Sequence, residues 1–197
     1  MGPSFTVRLY PGRFNRVMIQ TLRLKDVLSS ERVLLGASVT AMQQAFEVLG
    51  QLAREPGGPQ SAEIARRLLG RERHSSTALG YGVAIPHAQV TGLRRPVAAF
   101  LRSSAPLAFN APDGRPVFDM LGILVPKPAV PYHFALLGDA RHLLGDRDFR
   151  QALAACGDAL GVWQLFEQWP HYRSPVATEP TAASTVPMRV QQSNVSP

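Results

Sequence analysis

Apolar residues recur at every third or fourth position in the first third of the chain, the spacing of one face of an α-helix. The first such segment follows Ser38, a residue suited to cap a helix N-terminus, and contains Val39, Met42, Phe46, Leu49 and Leu52. The second segment starts at Ser61 and contains Ile64, Ala65, Leu68 and Leu69. The run Pro56-Gly57-Gly58-Pro59 separates them and breaks helices. The pattern predicts two amphipathic helices, the second of which enters the segment that begins at Arg71.

Short uninterrupted apolar runs farther along the chain predict buried strands. These runs are residues 33–35, 83–85, 97–101 and 120–125, with a short extended piece at 107–109. The run at 120–125 is apolar throughout, as expected of a central strand that is covered on both faces. Proline and glycine residues follow most of these runs and are expected to end them.

Helical periodicity returns in residues 132–144, where one face would carry Phe134, Leu137, Ala140 and Leu144. Asp146 and Asp158 are placed to cap two further helices. Because helices and strands alternate, the sequence predicts a single α/β domain, a sandwich in which a mixed central β-sheet is flanked by helices.

Both ends of the chain lack any hydrophobic period. Residues 1–20 combine proline and glycine with isolated apolar residues, and residues 171–197 are rich in Pro, Ser, Thr and Val. Such segments bury too little apolar surface to offset the entropy of ordering. The sequence therefore predicts a flexible N-terminal extension over 1–20, a folded domain over 21–170 and a disordered tail over 171–197.

Composition narrows the choice of compartment and partner. The 197 residues carry a net charge of +7, but the arginines are scattered, and no basic run or aromatic ladder predicts a nucleic-acid partner. Cys156 is the only cysteine, so no internal disulfide can form and a cytoplasmic location is expected. No apolar run approaches the roughly 20 residues of a membrane span, so membrane insertion is not expected.

The sequence lacks the motifs of several common chemistries. None of the five histidines pairs with another at helical metal-site spacing, and Cys156 belongs to no C-x-x-C motif. The chain has no G-x-S-x-G elbow and no G-x-x-x-x-G-K-[ST] phosphate loop. We therefore expect neither a metal nor a nucleotide cofactor.

The most informative segment spans residues 71–88 and has the sequence RERHSSTALGYGVAIPHA. Pro86 favours an extended Ile85 and is expected to hold His87 at the exit of the strand at 83–85. An imidazole beside an arginine and hydroxyls, here Arg71, Ser76 and Thr77, suits a phosphate group. A single histidine after a strand is more often structural, however. In a first helical turn His133 could lie at an anion site, but a solvated helix end is the interpretation that the spacing alone favours.

The same segment resembles the active-site signature of phosphotransferase-system enzyme IIA (EIIA) domains of the mannitol/fructose class, called type 2. It is most similar to the nitrogen-related type, whose pattern is approximately RE-x-x-GSTG-x-G-x-G-x-AIPHG. The resemblance continues through PVAAFLR, LAFNAPDGRPV and LGILVP, with a histidine seven residues after Pro126. It extends over residues 22–169, and it implies the EIIA type-2 fold.

The resemblance also implies a role for each candidate residue. His87 corresponds to the phosphorylated histidine, His133 to a second histidine that hydrogen-bonds the phosphoryl group, and Arg71 to an arginine that holds negative charge. Ser76 and Thr77 correspond to the hydroxyl pair of the phosphate-binding loop. The implied protein is a phosphocarrier that needs no cofactor and turns over no small molecule alone. Its implied partners are a phosphohistidine donor similar to HPr and unnamed regulatory targets, such as sensor kinases or potassium transport.

The chain departs from the family pattern at four positions. Ser75, Ala78 and Ala88 replace usual glycines, and Asn110 replaces a common aspartate. A positive φ at residue 75 or 78 would strain these side chains. The departures leave open an alternative, a degenerate EIIA-like module that carries no phosphate and regulates by protein contact alone.

Overall fold

The computed structural model describes residues 22–129 and 131–169. The extension predicted for residues 1–20 and the tail predicted for 171–197 both lie outside this part of the chain, so both stay predictions.

A mixed six-stranded β-sheet forms the centre of the domain. Its strands are β1 Val33–Ala37, β2 Ala78–Gly80, β3 Val83–Ala84, β4 His87–Val90, β5 Val97–Leu107 and β6 Val117–Pro126. The order is β1-β5-β6-β3-β2, and β4 also pairs with β6. β5 runs antiparallel to β6, whereas β3 and β4 run parallel to it. β6 therefore holds together the parts of the sheet that come from different regions of the chain.

Five α-helices flank this sheet. They are α1 Met42–Leu52, α2 Ser61–Glu72, α3 Pro131–Gly145, α4 Arg147–Ala155 and α5 Ala159–Gln168. The N-caps of α4 and α5 are Asp146 and Asp158, whose carboxylates accept hydrogen bonds from the N–H groups of Phe149 and Gly161. This confirms the two predicted caps.

Two hydrophobic clusters lie on opposite sides of the sheet. The helices α1 and α2 pack with Ala99, Leu101 and Met120 on one side, and α3, α4 and α5 pack with Phe100 and Leu121 on the other. Neighbouring residues of β5 and β6 thus point to opposite sides, the two-residue period of a strand. Burial of residues 120–124 on both faces confirms the predicted central strand, and the architecture confirms the predicted α/β sandwich.

The start of α1 differs from the prediction. Ser38 does not cap it, because the chain turns at Ser38, where the Val39 N–H donates to the carbonyl of Ala37, and α1 begins only at Met42. The N-cap is Ala41, whose side chain cannot accept a hydrogen bond. Gln44, the third residue of α1, reaches back, and its side-chain oxygen accepts the N–H of Thr40 at 2.8 Å, just before the N-cap.

Three further elements differ from their predictions. β5 is one strand through Leu107, whereas the sequence predicted a strand over 97–101 and a separate extended piece at 107–109. The strand continues across an irregularity between Arg102 and Leu107, where its register with β6 shifts and the Ser103 hydroxyl donates to the nearby carbonyl of Ala105. In α3, Leu136 is buried while Phe134 is 66% exposed, so the predicted inner face was wrong at Phe134. Finally, His87 follows the end of β3 as predicted, but it also begins β4, a strand that the sequence did not predict.

Gly50 allows α1 and α2 to approach each other closely. A Cβ atom at this position would lie 2.5 Å from the backbone oxygen of Ser61, so a side chain would force the two helices apart. We expect Gly50→Ala to lower the free energy of unfolding by about 1–3 kcal/mol, measured by urea denaturation.

The matched control is Gly138→Ala, in the exposed part of α3, where the added Cβ meets nothing within 4 Å. There the better helix propensity of alanine should raise stability by about 0.5–1 kcal/mol. Equal effects of the two substitutions would contradict the close approach at Gly50.

Candidate functional site

A large open cavity lies between α2, β4, the end of β6 and the start of α3. Its volume is about 1060 Å³. Cationic side chains line one part of it, from Arg66, Arg67, Arg71, Arg73 and Lys127. Apolar side chains line another part, among them Ile123, Val125 and Phe134. No Asp or Glu is among the described residues that line the cavity, so this space attracts anions.

His87 lies on the wall of this cavity, where β4 begins beside β6. It is opposite Ile123 in the parallel register, and the N–H of Ile123 donates to the carbonyl of Pro86 at 2.8 Å. The sheet thus fixes the backbone on both sides of Pro86, even though proline itself has no N–H to donate. The half-buried imidazole therefore projects from a backbone that is hydrogen-bonded to the central strand.

The ring of His87 has a defined tautomer. Its Nδ1 lies 2.9 Å from the carbonyl oxygen of Ile85. Since a carbonyl oxygen only accepts hydrogen bonds, Nδ1 carries the proton and donates it. In the neutral ring, Nε2 then carries the lone pair and is the nucleophilic nitrogen.

The surroundings keep this imidazole neutral. Burial lowers the pKa of His87 below its ordinary value because it disfavours the imidazolium ion. The hydrogen bond to Ile85 opposes that shift, the positive charge of Arg71 adds to it, and the negative charge of Glu72 opposes it. The net direction is downward, so His87 presents a lone pair at neutral pH.

Arg71 lies in the last turn of α2 and lines the same cavity as His87. Its guanidinium donates to the carbonyl of Ser75 at 2.9 Å, which holds the side chain along the loop that follows the helix. The structure thus brings together the two residues that the sequence predicted as phosphate acceptor and charge partner.

Ser76 and Thr77 lie in the loop after α2, and neither is among the described residues that line the cavity. The Ser76 Oγ accepts the N–H of Ala78 at 3.2 Å. Thr77 is buried and donates its hydroxyl to Glu72 at 2.6 Å. Both hydroxyls thus have protein partners in this structure, and direct phosphate binding by them stays a prediction.

His133 is the third residue of α3. This helix borders the cavity through Phe134 and Leu137. The side chain of His133 lies outside the described part of the structure, so its predicted contact with a phosphoryl group stays a prediction.

The replaced glycines cause no backbone strain. Among the described residues, Tyr81 is the one non-glycine residue with a positive φ, at 57°. Ser75, Ala78 and Ala88 therefore avoid the left-handed region. The turn at Tyr81 is held by Asp113, whose carboxylate accepts the Tyr81 N–H at 2.7 Å.

Sequence reasoning missed two features of the site. One is the buried carboxylate of Glu72, which accepts hydrogen bonds from both the N–H and the hydroxyl of Thr77. The other is the set of cationic side chains that line the cavity, which we call the basic wall: Arg66, Arg67, Arg71, Arg73 and Lys127. The sequence contained a sign of its α2 part, because Arg67, Arg71 and His74 follow one another at intervals of four and three residues, the period of one helix face.

The described part of the chain shows neither a metal-binding cluster nor a membrane-spanning helix. No group of three or more His, Cys, Asp or Glu side chains within 22–129 and 131–169 is arranged to hold a metal ion. Over the same residues, no helix is long and apolar enough to cross a membrane.

Comparison with known proteins identifies the family. Residues 26–169 match the family described as the phosphoenolpyruvate-dependent sugar phosphotransferase system, EIIA 2. The chain is 32% identical to a nitrogen regulatory protein of Bradyrhizobium diazoefficiens over 142 residues, which are 72% of this chain and 93% of that protein. The chain therefore belongs to the EIIA type-2 family, and its predicted resemblance to the nitrogen-related type is confirmed.

Solved structures agree with this assignment. The crystal structure of nitrogen regulatory protein IIA-Ntr from Neisseria meningitidis superposes with a TM-score of 0.68 at 30% identity, over 72% of this chain and 97% of that one. The mannitol enzyme IIA of Escherichia coli, solved in complex with phosphorylated enzyme IIB, gives a TM-score of 0.60 at 18% identity, over 74% and 99% of the two chains. The second likeness supports the fold alone.

The lowered pKa of His87 predicts a pH dependence of stability. The unfolded chain protonates this histidine near pH ~6.5, whereas the folded protein does so only at a lower pH. As the pH falls through ~6.5, the unfolded state binds more protons, so the free energy of unfolding decreases until the folded-state pKa is passed.

Urea denaturation between about pH 5 and pH 7.5 measures this effect. His87→Asn is the comparison, because the asparagine amide can still donate to Ile85 but does not titrate. Its stability should fall less steeply toward acid than that of the wild type, since the other histidines contribute equally to both. Identical slopes would show that His87 titrates alike in the folded and unfolded states.

Proposed function

We propose that this protein is a phosphocarrier that accepts a phosphoryl group on the Nε2 atom of His87. The observation that carries the proposal is the hydrogen bond from Nδ1 to Ile85, which leaves the lone pair on Nε2 of a ring that lines a basic cavity. Membership of the EIIA type-2 family supports the proposal, because the phosphotransferase system moves phosphoryl groups between proteins.

The step requires no cofactor and no proton transfer. The Nε2 lone pair forms a new N–P bond while the N–P bond to the donor phosphohistidine breaks, and the donor ring recovers its electron pair. The Nδ1 proton of His87 stays on its hydrogen bond to Ile85 throughout. Phosphoryl transfer asks a protein mainly for positioning and charge stabilisation, and this arrangement supports both.

The basic wall supports the charge requirement. Arg71 has the strongest case for contact with the phosphoryl oxygens, because its charge already acts on the His87 ring and an arginine fork matches a phosphate. Arg66 and Arg67 are less available, since both pair with Glu63. His133 would add a hydrogen bond from α3, a role that rests on the family resemblance.

The proposed donor is a phosphohistidine protein similar to HPr, and the proposed output is regulation of partner proteins by phosphorylation state. The nitrogen regulatory relatives support a regulatory role, and the enzyme IIB bound to the mannitol enzyme IIA shows one kind of phosphorylated partner for that protein. The unstrained backbone at Ser75, Ala78 and Ala88 removes the reason for preferring a degenerate module. The proposal also places this protein in the cytoplasm, the compartment in which it would meet the HPr-like donor.

His87→Ala should abolish phosphorylation because it removes the acceptor nitrogen. The assay uses an HPr-like protein kept phosphorylated by enzyme I and phosphoenolpyruvate, and it detects the added phosphoryl group by intact mass. NMR should assign the product as the Nε2 isomer. The matched control is His74→Ala, which removes another histidine of the same cavity and should leave the acceptor intact. Wild-type phosphorylation of His87→Ala would refute the assignment.

Arg71→Ala should slow transfer while leaving the acceptor in place. Loss of a charge-assisted bond to the phosphoryl group costs about 1.5–3 kcal/mol, or about ten- to a hundredfold in rate when the bond is made in the transition state. His133→Ala should slow transfer in the same way. The control is Arg94→Ala, an exposed arginine that does not line the cavity. Unchanged rates for Arg71→Ala would show that its side chain does not touch the transferred group.

A further inference from the structure

The buried carboxylate of Glu72 has no part in the step described above, although it lies at the end of α2 beside Arg71. Both of its oxygens are used: Oε1 accepts the Thr77 N–H at 2.9 Å, and Oε2 accepts the Thr77 hydroxyl at 2.6 Å. Burying a carboxylate is costly unless it is well hydrogen-bonded. This paired contact therefore holds Thr77 in one position.

Thr77 is connected in turn to the backbone beside His87. Its carbonyl oxygen accepts the N–H of Ile85 at 3.0 Å. The carbonyl of the same residue, Ile85, accepts the Nδ1 proton of His87 at 2.9 Å. Hydrogen bonds made by Thr77 and Ile85, joined through the backbone of each residue, thus connect the Glu72 carboxylate to the imidazole.

We propose that Glu72 is a positioning residue for the phosphoryl acceptor, acting through Thr77 and the backbone of Ile85 to select the Nδ1–H tautomer of His87. The proposal rests on the proposed function and deepens it. Glu72 does not contact the transferred group. It orients the carbonyl that receives the Nδ1 proton, and thereby the nitrogen that attacks phosphorus.

The neighbouring interactions indicate that Glu72, and not the loop backbone alone, holds the Ile85 carbonyl in place. The bond from Ile85 to Thr77 and the bond from Ile123 to Pro86 hold the two ends of this turn, and Pro86 has no N–H to add a third. Arg71 donates to the carbonyl of Ser75, and among the described residues no hydrogen bond joins it to Thr77 or Ile85. Glu72 also contributes directly, because its negative charge raises the pKa of His87 and partly offsets burial and Arg71.

Four variants separate geometry from charge. Glu72→Ala removes both bonds to Thr77, and Thr77→Val removes only the hydroxyl bond. Glu72→Gln is nearly isosteric and keeps an acceptor for the Thr77 N–H and a group that can bond the hydroxyl, but it has no charge. Thr77→Ser keeps the hydroxyl. The control is Glu47→Gln, an exposed glutamate of α1 whose side chain accepts from Gln43 and lies outside the series.

Two measurements are made on the full-length protein. The ¹⁵N shifts of the His87 ring report its tautomer without any phosphate present. The rate of phosphorylation by phosphoramidate reports acceptor function without a partner protein, since its P–N bond breaks as the Nε2–P bond forms and ammonia leaves.

We expect Glu72→Ala to populate both His87 tautomers and to lower the phosphoramidate rate by about ten- to a hundredfold, the scale of a misplaced reacting group. Thr77→Val should have a smaller effect of the same kind. Thr77→Ser, Glu72→Gln and Glu47→Gln should keep the wild-type tautomer, and Glu72→Gln alone among these three should lower the pKa of His87.

An unchanged tautomer in Thr77→Val and Glu72→Ala would overturn the proposal, and if Glu72→Ala does not fold, Thr77→Val decides alone. A rate that falls while the tautomer stays unchanged would also overturn it. The proposed function fails in a different way, when wild-type protein accepts no phosphate at His87, whereas the tautomer measurement does not depend on phosphate.

Discussion

The hydrogen bond from His87 Nδ1 to the carbonyl of Ile85 is the constraint on which the site depends. It assigns the proton to one ring nitrogen and the lone pair to the other, and only the second nitrogen is then available for chemistry. The bond has one direction because the acceptor is a backbone carbonyl. Everything that keeps the Ile85 carbonyl in place therefore also keeps Nε2, the proposed acceptor nitrogen, in place.

The backbone around the Ile85 carbonyl is held from two sides of the fold. β6 pairs with β3 before Pro86 and with β4 after it, and the N–H of Ile123 bridges the interval by donating to Pro86. From the other side, the buried Thr77 accepts the N–H of Ile85. The buried central strand β6 thus helps to place the His87 ring. Its pairing with β3 and β4 fixes the backbone from which this half-buried ring projects.

The sequence predicted the α/β sandwich, the central strand and the location of Arg71 and His87 in one site, because these depend on local patterns or on a long family motif. It did not predict β4, since a proline precedes that strand and its four residues alternate polar and apolar too briefly to stand out. It placed the start of α1 too early, at Ser38, because the turn that delays the helix to Met42 has no marker in the sequence, and the side chain that bonds a backbone N–H there is that of Gln44. Glu72 could not be assigned a role, since a carboxylate beside an arginine suggests a surface ion pair until the hydroxyl of Thr77 is located 2.6 Å away.

In the proposed phosphocarrier, the electrostatic balance at His87 suits a group that must both accept and release phosphate. Burial and Arg71 lower the basicity of the ring, which keeps it neutral but weakens it as a nucleophile. The cationic side chains of the cavity would stabilise the proposed phosphoryl group on Nε2, so the loss on one side of the proposed step is offset on the other. A more basic ring would be protonated at neutral pH, and a wall without cations would leave the bound phosphoryl charge uncompensated. Glu72 partly restores the basicity of the ring, since its negative charge raises the pKa of His87. Because Glu72 is not among the described residues that line the cavity, it adds no negative charge to that lining.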